Sequence, residues 1–412
     1  MGRRTAPRLV LPFAGVATAV ALLASVPGAH AEPTAAGDVC IGVGNRCPTW
    51  LSKFHDPDAA SRSDQFPGVA GVSGAGGDLD YVTAAYAASD GRKLWTDRYT
   101  GVVAGGSDSP FGLAVDPLGR FVYVTGWSDG VVEFDIDYAT VAYAIAGETA
   151  TRAWVARFDG IGEDLPDRAA AITVDPAGGR VFVTGDSVRS GFRCCDYATV
   201  AYDAVTGAEF WRARWGNPGP GPSAGYNGAN AVVVDPGGVR VFVTGQSANS
   251  STARDNDFGT VAYSAVTGGQ LWARQDSEPT YDGDFAVALA VAPNGSRVYA
   301  TGVSSSSNQQ GLADQLTIAY GASDGIPAWT ARLNASGLDN DRGTAIGVTP
   351  DGRSIVTAGQ FRYVGLDLSG RGNDYDVGVA AYAEQVPTAV RLRGRGVARR
   401  GRSRPVNRSL AR

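Results

Sequence analysis

Nine residues before each of five recurring prolines, Pro117, Pro176, Pro236, Pro293 and Pro350, stand Asp108, Asp167, Asn227, Asp284 and Asp341. Four carboxylates and an amide at one fixed place in a repeat could give hard oxygen ligands to a cation such as calcium, or polar contacts to a ligand. The simpler chemistry is local, because Asp and Asn side chains accept backbone N–H bonds where a strand begins. Capping is therefore the expectation, and a cation or ligand site the alternative. Other catalytic groups are scarce: of two histidines, His30 lies in an N-terminal leader and only His55 remains. One imidazole cannot provide the base of a nucleophilic triad and the several ligands of a zinc site together. Gly42-Val-Gly44 lacks the following helix that phosphate binding needs, and reads as a turn.

The elements that must position these residues follow from a period of roughly sixty residues. One half of the repeat reads Asp-Tyr-x-Thr-Val-Ala-Tyr, a Thr-Gly or Asp-Gly turn, and a run beginning at tryptophan; it starts at Asp80, Asp137, Asp196, Asp257 and Asp314, and again without the tryptophan run at Asp374. The other half alternates apolar and small residues, turns at Pro-x-Gly, and continues as Val-Phe/Tyr-Val-Thr-Gly, as in Val241 to Gly245. Each unit thus holds four short β-type runs and no helical period, which predicts an all-β propeller of four-stranded blades. Small residues ahead of each proline, such as Ala171 and Thr173, suit the crowded innermost strand. Trp95, Trp154, Trp211, Trp272 and Trp329 then fall on outermost strands, spaced to dock between blades as core. Five complete blades and one truncated blade make six, with five or seven as alternatives. Because the last unit lacks its tryptophan run, the orphan segment Trp50 to Phe54 is expected to complete it by strand exchange between the termini. In that ring the five Asp/Asn positions converge on one mouth of the central channel.

The ends carry separate signals. Basic Met1 to Arg8, apolar Leu9 to Val26 and Ala29-His30-Ala31 before Glu32 have the layout of a signal peptide over residues 1–31, which implies a secreted protein. The propeller is expected over 32–386, and 387–412, dominated by arginine, as a disordered basic tail. No later run is long enough to span a membrane. Four cysteines in an exported chain are expected to be oxidised; their placement allows Cys40 with Cys47 and Cys194 with Cys195, and three pairings are formally possible.

The segment Ala201-Tyr-Asp-Ala-Val-Thr-Gly-Ala-Glu-Phe-Trp211 resembles the tryptophan-docking motif of quinoprotein (PQQ-dependent) dehydrogenase propellers. The whole unit, with Val-Asp-Pro-x-Gly and Val-Tyr-Val-Thr-Gly, is similar to the secreted bacterial β-propeller repeats called SBBP, over about Trp50 to Ala383. The quinoprotein resemblance draws attention to Cys194-Cys195-Asp196, since the methanol-oxidising type places a vicinal disulfide against PQQ. Yet Asp196 has a counterpart in every unit, and the chain is too short for the eight blades of those enzymes. The expectation is a non-catalytic, monomeric module without resident cofactor, binding a protein or surface polymer rather than nucleic acid. A PQQ-dependent oxidoreductase and a calcium-assisted propeller hydrolase are the alternatives.

Overall fold

The computed structural model describes residues 68–391 except 76–77, 88–89, 133–134, 161–164, 189–194, 217–225, 249–255, 277–282, 306–312, 335–340, 363–374 and 385. The described residues are strands and turns without a helix, in six antiparallel sheets that follow one another along the chain. The first has three strands, β1 (Gly68–Ala75), β2 (Asp78–Tyr86) and β3 (Lys93–Tyr99). The second is β4 (Asp108–Val115), β5 (Phe121–Asp129), β6 (Ile136–Ala146) and β7 (Thr149–Phe158). The third is β8 (Asp167–Val174), β9 (Arg180–Val188), β10 (Cys195–Asp203) and β11 (Glu209–Trp215). The fourth and fifth repeat the plan with β12 (Gly228–Val234), β13 (Arg240–Ala248), β14 (Asn256–Ser264), β15 (Gln270–Asp276), and β16 (Phe285–Val291), β17 (Arg297–Ser305), β18 (Ala313–Gly321), β19 (Pro327–Leu333). The sixth is β20 (Arg342–Val348), β21 (Ser354–Arg362), β22 (Tyr375–Ala383) and β23 (Val386–Arg391). These are six propeller blades, each with strands paired in chain order.

The turns are local chemistry. Between first and second strands, Pro117, Pro176 and Pro236 fix φ while Gly119, Gly178 and Gly238 take positive φ and donate back to Asp116, Asp175 and Asp235. The hydrophobic clusters lie at the seams: one cluster joins Tyr123 and Trp154 of the second blade to Ile172, Val183 and Tyr202 of the third. The Asp-Tyr motif also crosses seams, with the Tyr138 hydroxyl donating to Ala198 O at 3.1 Å and that of Tyr197 to Gly259 O at 3.1 Å.

The fourth strand of the last blade is β23, whose Val390 stands opposite Ala381 as Trp211 stands opposite Ala201. A hairpin closed directly after β22 costs far less loop entropy than recruiting a segment from the other end of the chain. The segment Trp50 to Phe54, His55, Cys40, Cys47 and Cys194 lie outside the described residues.

Candidate functional site

Asp108 and Asp167 open an inner strand and Asn227, Asp284 and Asp341 immediately precede one, and each is buried, between 0% and 2% exposed. Their side chains are turned into the blade. The cause is a β-bulge: the pairing of β8 with β9 skips between Ala169 and Ala171, so Asp167 and Ala169 share the buried face of Ile172 and Val174. The same skip occurs in β4, β12, β16 and β20.

Inside the blade, the candidates meet a polar row. Asp167 pairs with Ser187 on β9, and Ser187 pairs with Asp196 on β10. Asp108, Ser128 and Asp137 repeat the arrangement in the second blade. The outer strand completes it: Arg157 on β7 donates to Ser128 Oγ at 2.6 Å and lies 2.6 Å from Asp137 Oδ2. Arg332 reaches Asp314 at 2.9 Å and Ser304 Oγ at 2.7 Å, Arg98 pairs with Asp80, and Arg214 donates to Ser187. Gln275 takes the cation's place in the fourth blade and donates to Ala248 O at 3.0 Å. The serines and arginines were not singled out from the sequence. Their signal was present in the repeat, as Thr-Gly-x-Ser (Thr184 to Ser187) and Trp-x-x-Arg (Trp154 to Arg157).

The same positions pin one blade to the next. Gly101 N donates to Asp108 Oδ2 at 2.6 Å, and Gly160 N to Asp167 Oδ2 at 2.5 Å. Asn227 accepts from Ser247 Oγ at 3.1 Å and Ala248 N at 3.0 Å, and its Nδ2 donates to Cys195 O at 3.1 Å. Ser305 N donates to Asp284 Oδ1 at 3.0 Å within the fifth blade, while the Asp284 and Asp341 amides donate across the seams to Asn256 O at 2.5 Å and Ala313 O at 2.6 Å. Burial raises the Asp167 carboxyl to about 6, against the lowering effect of Ser187 and the Gly160 amide. Burial also raises that of Asp108.

The five candidates do not gather around one ion. Among the described residues, the group of carboxylates close enough to share a metal is Asp137, Asp159 and Asp167, with ligand atoms all within 4.8 Å of one another. Cys195 is buried at the start of β10, and its thiol faces Asp186, whose carboxyl is raised by its own burial despite Arg168, Cys195 and Tyr226 beside it.

The tryptophans stand between blades. Trp154 lies 5.8 Å from the Tyr123 ring and 6.1 Å from Tyr202 of the next blade, and its Nε1 donates to Ala204 O at 3.1 Å. Trp211 and Trp272 repeat this with Ala265 O and Ala322 O, each at 3.1 Å. Trp329 sits between Tyr299 and Tyr382, and Trp95 against Tyr143.

Residues 95–131 match the family model described as "SBBP: Beta-propeller repeat". No curated protein matches the chain. Among solved structures it is similar to hydrazine synthase of Kuenenia stuttgartiensis, at 14% identity over 77% of this chain and 93% of that one, with a TM-score of 0.45. It is also similar to the periplasmic gluconolactonase PpgL of Pseudomonas aeruginosa (13% identity, 79% and 94% coverage, TM-score 0.44). A third is Sqt1 of Chaetomium thermophilum bound to the N-terminus of the ribosomal protein L10 (11%, 80% and 84%, TM-score 0.44). Identities this low concern the fold alone.

Proposed function

We propose that this chain is a secreted, non-catalytic β-propeller that presents one loop-rich end of its blades to a protein or surface polymer. The observation that carries the reading is an asymmetry between the two ends. From the second blade onward, connections at the end where the Asp–Ser–Asp rows lie run from six to twelve residues, and those at the other end from two to five. Loops on a rigid scaffold are where binding residues concentrate. The rows and seams below them hold that scaffold with polar contacts between strands and between blades. Among the described residues no helix is long and apolar enough to cross a membrane, and the leader over 1–31 supports export.

The test is retention of the mature protein on the cell-surface fraction of the producing organism. Replacing 217–225 by a short Gly-Ser link should release it, whereas altering the Thr206-Gly207 turn at the other end by Thr206→Ser should not. Equal retention of both variants would remove the reading, as would extraction of a stoichiometric quinone from the purified protein.

A further inference from the structure

We propose that Asp137, Asp159 and Asp167 form a calcium site at the seam between the second and third blades. The three come together through the fold: Asp137 lies near the start of β6, Asp159 directly follows β7, and Asp167 opens β8 after the chain has crossed the seam. One ligand oxygen of each lies within 4.8 Å of the others.

A cluster of carboxylates is not by itself a site, and a second observation stands beside it here. The two buried members each keep an oxygen, Oδ1, that no donor reaches in hydrogen-bond geometry. Asp167 is 1% exposed, and the Asp137 side chain 10%. Arg157 bonds Asp137 Oδ2, and the Gly160 amide bonds Asp167 Oδ2 with the Ser187 hydroxyl also on that carboxylate, while Oδ1 of each is without a partner. A buried acceptor without a donor is unfavourable, and a cation relieves two at once.

The other seams provide the comparison. Five residues after the outer-strand tryptophan, where this seam has Asp159, the others have Thr100, Gly216, Ser277 and Asn334. Oδ1 of Asp108 and of Asp314 is equally without a donor, so the orphaned oxygen recurs along the repeat, and what is particular to this seam among the described residues is the grouping of three carboxylates. The donor set is oxygen only, which suits calcium and not zinc. Asp159 is exposed, so water can complete a coordination shell of about six to eight oxygens. The site goes beyond the binding reading and stands or falls without it; its effect would be to tie down the crossing from β7 to β8.

The test uses the mature chain stripped with chelator and titrated with calcium by calorimetry. Wild type should take up a single equivalent and melt at a higher temperature with calcium. Asp159→Asn changes an exposed side chain and leaves the blades intact; it should weaken binding at least about tenfold and abolish the calcium-dependent rise in melting. Asp90→Asn, an exposed carboxylate at the other end of the first blade, should change neither. No binding at millimolar calcium, or binding that Asp159→Asn leaves intact, overturns the proposal.

Discussion

Arg157 lies across the outer half of the second blade with its Nη2 2.6 Å from Asp137 Oδ2, both side chains largely buried at 19% and 10% exposure. The same guanidinium donates to Ser128 and to the Asp129 carbonyl at 3.0 Å, so it ties β7 to β5 over the intervening β6. Arg157→Ala leaves Asp137 buried without its cation and should cost about 3 kcal/mol in denaturant unfolding. Arg157→Lys retains the charge but not the planar fork, and should recover only part of that loss.

Asp167 has a measurable pH signature. Its folded carboxyl is raised to about 6 while the unfolded value is the ordinary one. The folded state therefore binds the proton more tightly, and this group's contribution is greatest below about pH 4 and is lost as pH rises through about 6. Asn already occupies the equivalent place at Asn227 with its hydrogen bonds satisfied. Asp167→Asn should remove that decline and, without calcium, leave the protein as stable or more stable at pH 7, by at most about 3 kcal/mol. A pH series of unfolding midpoints on both chains checks it.

The docking tryptophans should not respond alike. Trp211 Nε1 donates to Ala265 O at 3.1 Å, whereas Trp329 Nε1 is buried without an acceptor. Trp211→Phe loses a hydrogen bond and strands a buried carbonyl; Trp329→Phe removes an unsatisfied donor. The first should be more destabilising by about 1 kcal/mol, read from chemical denaturation. Equal losses would show that ring volume alone decides the seam.

Gly207 separates backbone strain from packing. At φ 73° it disfavours any other residue, and an added Cβ would come within 2.6 Å of the Trp154 ring. Gly91 has the same φ with nothing within 4 Å. Gly91→Ala should cost about 1–2 kcal/mol from the left-handed backbone, and Gly207→Ala about 1–3 kcal/mol more, from displacing Trp154. Thermal or urea unfolding of the pair of variants gives the difference.

What the sequence determined by itself is the repeating unit. Valine, tyrosine and threonine runs between glycine turns can bury one face only by stacking units, so four-stranded blades and tryptophan seams were legible without coordinates. What the tertiary structure decided is which way the polar residues face. Counting by twos back from Ile172 places Asp167 with Ala171 and Thr173, toward the axis. The bulge at Ala170 changes that phase, and Asp167 turns inward beside Ala169. Ser187 and Arg214 escaped notice for a related reason: Ser187 meets Asp167 through strand register from 20 residues away, and Arg214 reaches Ser187 from 27 residues away. The last strand is also a tertiary result: Val386 to Arg391 pairs with β22 through a short local connection, which costs little loop entropy.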